Sequence, residues 1–119
     1  MISAAEGAVL AAREAQDSKA KDVLVIDIRG LSFVTDYFVI CTGDSDIQVQ
    51  SIARNVKQKL AEAGLEFRRM EGYLDAQWVL LDFGDVIVHI FHHEAREFFS
   101  LERLWGCTPG GLSICCYMI

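Results

Sequence analysis

The stretch EGYLDAQWVLLDFGDVIVHIFHHEAREFFSLERLW, Glu71 to Trp105, decides the fold. It reads as two strands, a tight turn at Gly84-Asp85 between them, and a short helix from about Glu94 to Leu104. Glycine supplies the positive φ that tight hairpin turns need. Counting outward from a two-residue turn, Phe83 faces Val86, Leu81 faces Val88 and Val79 faces Ile90. That face is wholly apolar and is therefore the core face. The other face pairs Asp82 with Ile87, Leu80 with His89 and Trp78 with Phe91. Faces of different character are expected where only one packs on the core. A Trp, a Leu, a Phe and a His make the second face rich for a solvated surface. Trp78, Leu80, His89 and Phe91 are therefore candidate partner-binding residues. Glu71 and Tyr73, in the turn before Trp78, either rim that face or are ordinary loop residues.

Working back to the N-terminus, Ser3-Ala4-Ala5-Glu6 has capping-box spacing and opens a helix to about Asp17. Its apolar positions are mostly alanines, which suits close packing on another element. Asp22 to Ile28 holds the run Val23-Leu24-Val25-Ile26, the mark of a strand buried on both faces. A second strand, Tyr37 to Thr42, ends at Gly43-Asp44. Ser45-Asp46-Ile47-Gln48 is again a capping box, opening a helix to about Ala63 with Gly64 as its C-terminal cap. Ile52, Val56 and Leu60 form its buried stripe. Leu65 to Met70 is a short strand near an edge. The order α-β-β-α-β-β-β-α predicts an α/β domain, a single mixed five-stranded sheet flanked by helices. That domain covers residues 1–106. Residues 107–119 form a tail, either flexible or docked as an extra strand.

With 119 residues and 52% apolar content, one domain with a real core is expected. No apolar run approaches the ~18 residues of a membrane span. The N-terminus resembles neither a secretory signal nor a transit peptide. Cys41, Cys107, Cys115 and Cys116 form no C-x-x-C pair, which points to a reducing, cytoplasmic setting. A net charge of −6 disfavours general nucleic-acid binding and suits a basic protein partner.

Other sites have bland readings that weigh more. The Gly43-Asp44-Ser45-Asp46 junction could hold a phosphate at a helix N-terminus, but its aspartates already satisfy the helix dipole. Asp44 and Asp46 could also be a metal pair for nucleotide or phosphoryl transfer. Such an enzyme would carry two carboxylates on the next strand, and Leu65-Glu66-Phe67-Arg68 has no such pair. His89, His92 and His93 do not share one strand face, so no metal site is expected there. No cofactor motif and no nucleophile signature occurs. The Trp78 face has its own alternatives: cover by the last helix, through Phe98, Leu101 and Trp105, or self-association.

Thr35-Asp36-Tyr37-Phe38-Val39-Ile40 with Thr42-Gly43-x-Ser45 resembles the first signature of the Iojap family, the ribosomal silencing factors. Glu71-Gly72, Trp78, Asp82-x-Gly84-Asp85, Val88-His89-x-Phe91, Arg96 and Leu101-Glu102-x-Leu104-Trp105 resemble the rest. The resemblance implies a fold similar to nucleotidyltransferases without their catalytic carboxylates, a homodimer, and no enzymatic activity. It further implies binding to ribosomal protein L14 of the large subunit, which blocks joining of the small subunit and represses translation. Within the resemblance, Trp78 and Leu80 are the residues that touch L14. The segment from Cys107 departs from the family's usual short ending.

Overall fold

The hairpin closes at Gly84-Asp85, with Gly84 at φ +82° and Asp82 Oδ1 accepting the Gly84 N–H at 2.8 Å. From that turn the register runs Leu81 to Val88, Val79 to Ile90, Asp82 to Ile87, Leu80 to His89 and Trp78 to Phe91. This is the pairing expected from the turn. The computed structural model describes residues 2–29, 35–95 and 115–118.

The elements are α1 (Ala4–Asp17), β1 (Lys21–Asp27), β2 (Tyr37–Gly43), α2 (Asp46–Glu62), β3 (Arg69–Glu71), β4 (Trp78–Asp82), β5 (Val86–His92) and β6 (Cys115–Met118). Strands β1 to β5 form the expected single mixed sheet. β2 and β5 run parallel, and the other neighbours are antiparallel. The tail adds β6 beside β1, giving the order β3-β4-β5-β2-β1-β6. Of the two fates open to the tail, this one is docking. The last helix begins at residues 93–95. The rest of the helix expected there, with Arg96, Phe98, Leu101 and Trp105, lies outside the described residues, as does Cys107.

Both helices pack on one face of the sheet. The α1 capping box forms: Ser3 Oγ accepts from the Glu6 N–H, and Glu6 Oε1 accepts from the Ser3 N–H. Ala8, Ala11, Ala12 and Ala15 are fully buried, so the alanine seam brings α1 close to its neighbours. At α2, Ser45 Oγ takes the Gln48 N–H, but Gln48 reaches back one residue further, to the Asp44 N–H. The α2 C-terminus closes with Gly64 N–H to Ala61 O and Leu65 N–H to Leu60 O, a Schellman pattern. Ile52, Val56 and Leu60 are buried against Val39, Val79, Leu81, Val88 and Ile90.

The β3–β4 loop depends on Gly72, at φ +80°, where a Cβ would collide with the Trp78 carbonyl oxygen. Gly72→Ala is expected to cost ~2 kcal/mol or more, combining left-handed strain with that collision. Leu74→Ala in the same loop, where the side chain is 91% exposed, removes no packing. It should stay within ~0.5 kcal/mol of the parent. Urea denaturation of the two variants checks both.

Candidate functional site: the outward face of the β4–β5 ribbon

Cross-strand partners share a face, so the register assembles the site in rows. One row is Trp78, Phe91 and Thr42. The next is Glu71, Leu80, His89, Ile40 and Leu24. The third is Arg69, Asp82, Ile87, Phe38 and Ile26. All lie on the side of the sheet away from α1 and α2.

Exposure falls from β3 through β4 to β5, although Phe38 on β2 is again partly exposed. Glu71 is exposed, and Trp78, Leu80 and Asp82 are partly exposed. One strand further in, Ile87 and His89 are 5% exposed and Phe91 only 1%. Ile26 and Ile40 are fully buried, and Ala95, a few residues past β5, packs against this group of residues. The accessible site is therefore the β3–β4 strip. His89 and Phe91 share the predicted face but are buried beside Trp78, so they support it and offer little surface of their own.

The support is specific. The Trp78 Nε1–H donates to His89 Nδ1 at 3.0 Å. The indole stacks on Phe91, ring centroids 5.2 Å apart at 26°. Phe38 meets the His89 ring edge-on at 4.8 Å. His89 Nε2 is buried and has no hydrogen-bond partner among the described residues. Burial pushes the His89 pKa down to about 4, because the charged imidazolium would lose its water.

Tyr73 falls elsewhere. Its carbonyl accepts from Gln50 Nε2 at 2.9 Å, its hydroxyl bonds Arg54 Nη1, and its ring packs with the helix-covered core. It thus pins the β3–β4 loop to α2 and does not rim the Trp78 face. Glu71 does, directly opposite Leu80 in the register. The sequence reading missed two flanking residues, Arg69 and Asp82, whose side chains meet at 3.3 Å beside Leu80. An Arg on a short edge strand opposite an Asp was the available signal.

Asp44 and Asp46 are not aimed at a common point. Asp44 pairs with Lys21 at 2.8 Å, which holds its carboxyl below the usual range. Asp46 Oδ1 faces Gln77 Nε2 at 3.4 Å and His92 Nε2 at 3.7 Å. The rings of His92 and His93 lie 4.5 Å apart, tilted by 31°. Among the described residues, no group of three or more His, Cys, Asp or Glu side chains gathers as a metal site would require. Among them, too, no helix is long and apolar enough to cross a membrane.

The family described as ribosomal silencing factor during starvation matches residues 2–113, which span α1 to β5 and stop short of β6. A ribosomal silencing factor RsfS of Bacillus subtilis is 49% identical over 100 residues, covering 84% of this chain and 85% of its own. The protein Iojap, chloroplastic, of Zea mays is 36% identical over 103 residues, 86% of this chain and 45% of that one. A crystal structure of a Chromobacterium violaceum protein superposes with TM-score 0.87 at 35% identity, covering 91% of this chain and 90% of the other. A Bacillus halodurans structure gives TM-score 0.76 at 44% identity, covering 85% and 94%.

The buried histidine carries a pH signature. The unfolded chain takes up a proton on His89 below about pH 6.5, the folded chain only below about pH 4. The unfolded state therefore binds more protons in between, and stability falls as the pH drops through that interval. Above it the contribution is complete. The full effect is ~3 kcal/mol, from the conversion of a pKa difference to free energy. Urea denaturation above, within and below the interval should show the fall, and His89→Asn should largely abolish it.

Proposed function

Because the chain belongs to the ribosomal silencing factor family, we propose that it represses translation by binding ribosomal protein L14. Bound there, on the large ribosomal subunit, it blocks joining of the small subunit. The observation that carries this reading is the half-open Trp78-Leu80 strip of β4, with exposed Glu71 beside it. An aromatic anchor on a rigid strand is the usual form of an interface hot spot. Trp78 and Leu80 make the apolar contact, Glu71 adds charge at its border, and His89 and Phe91 hold the indole in place. Tyr73 contributes indirectly, by fixing the loop that leads into β4.

The mechanism is exclusion. Two particles as large as ribosomal subunits cannot close a joint with a folded domain standing in it, so no catalytic group, metal or cofactor is called on. The net charge of −6 suits a basic ribosomal protein, raising encounter rate and discrimination more than affinity. The proposal includes a cytoplasmic setting for the chain. Asp44 and Asp46 are each engaged with their own neighbours, so the proposal draws no phosphoryl-transfer chemistry from them.

Self-association into a homodimer belongs to the same proposal. The apolar strip of Ile2, Ala5, Val9 and Leu10 along α1 lies away from the Trp78 face and leaves that face open in a dimer.

Sedimentation of purified large subunits with the chain tests the reading. Trp78→Ala and Leu80→Ala should each weaken co-sedimentation, Trp78→Ala by about 30-fold for an anchor worth ~2 kcal/mol. Binding equal to the parent would refute the placement. Light scattering should find both variants in the parent's oligomeric state; monomers would move Trp78 from partner contact to dimer contact.

A further inference from the structure

We propose that His89 is a positioning residue for the docking surface: by taking the Trp78 indole N–H inward, it locks the indole and leaves it only carbon to offer a partner. The inference rests on the reading of Trp78 as the anchor. It adds the chemistry of what the anchor meets, an aliphatic or aromatic patch on a basic protein, engaged without a hydrogen bond to the indole.

The sequence around His89 makes its presence a puzzle. From Val86 to Phe91, β5 reads Val-Ile-Val-His-Ile-Phe; all six residues are buried, and every one but His89 is apolar. In the sheet, His89 lies between Ile40 and Leu80, with Phe38 edge-on to its ring. Burying an imidazole there costs free energy that a Leu or Phe would not, and the cost is greater with Nε2 unpartnered among the described residues. Fold stability thus gives no reason for a histidine. Trp78 does. Nδ1 sits 3.0 Å from the indole Nε1, so Nδ1 is the acceptor and the ring proton is assigned to Nε2. A partly exposed tryptophan ordinarily gives its N–H to water or to a partner. Here the N–H goes instead to a buried side chain on the neighbouring strand.

Two consequences follow for binding. The hydrogen bond and the Phe91 stack together fix both side-chain torsions of Trp78 before any encounter, so little rotamer entropy is lost on docking. The inward N–H also removes the one polar group of the indole from the interface, so a partner need not desolvate or match it. A site that instead required an acceptor facing the indole would be mispaired here, which narrows the class of partner to apolar patches.

The test uses the full chain, with purified large ribosomal subunits as the probe. His89→Phe keeps the ring volume and removes the acceptor; His89→Asn keeps an acceptor near the Nδ1 position. In ¹⁵N-labelled parent protein, the Trp78 indole resonance should show slow solvent exchange and a scalar coupling across the bond to His89 Nδ1. His89→Phe should speed indole exchange and weaken subunit binding about tenfold, the scale of one freed rotamer-rich side chain. His89→Asn should restore slow exchange and most of the affinity. Parent-like binding by folded His89→Phe, or equal loss in the Asn and Phe variants, would overturn the positioning role while leaving Trp78 as anchor. Should His89→Phe fail to fold, the parent resonance decides: a rapidly exchanging, uncoupled indole N–H overturns the proposal. Parent-like binding by Trp78→Ala is a separate failure, that of the docking surface itself.

Discussion

The register of the β4–β5 hairpin is the constraint on which the rest depends. With Gly84-Asp85 as the turn, each residue of β4 has one partner on β5 and one face. Val79, Leu81 and Phe83 go to the helices, and Trp78, Leu80 and Asp82 go to the other side. A slip of one residue would bury Trp78 and Leu80 under α2 and turn three core residues outward, so the turn is specified as strongly as the core. Gly72 does the same work at the other end, letting the loop pass close over the Trp78 backbone. Between two glycines, β4 has no freedom to present anything else.

The parallel β2–β5 contact turns this hairpin into part of a domain. It places Ile40 beside His89 and Phe38 beside Ile87, so the outward face of the ribbon continues onto a neighbouring strand. The result is a graded surface: open at β3, half-open at β4 and closed at β5, with Phe38 of β2 partly exposed further along the same face. An interface built on such a gradient has a rigid floor and an accessible lip. That arrangement suits a factor that acts by occupying space, since its contact surface must survive without a partner and without collapsing into its own core.

Much of this was legible in the sequence, for identifiable reasons. Turn chemistry and strict alternation set the hairpin pairing; Ser3 and Ser45 marked the helix starts; Val23 to Ile26 marked a strand buried on both faces. Alternation assigns a residue to a face but says nothing of what covers that face. That is why His89 and Phe91 read as contact residues although they are buried beside Trp78. Tyr73 escaped because a loop has no periodicity: its side was decided by Gln50 and Arg54, about a helical turn apart on α2 and distant in sequence. The tail's pairing with β1 was undecidable from composition, since an apolar segment after Pro109-Gly110-Gly111 suits a docked strand and a free one alike.

Hydroxyl-radical footprinting of the chain, free and on purified large ribosomal subunits, tests the central claim most directly. The account predicts that Trp78 and Leu80 react in the free chain and are protected in the complex. Leu74 and Ile47, 91% and 77% exposed but off that strip, should stay reactive in both. Equal reactivity of Trp78 in the two states, or protection centred on Ile47 and Leu74, would contradict it.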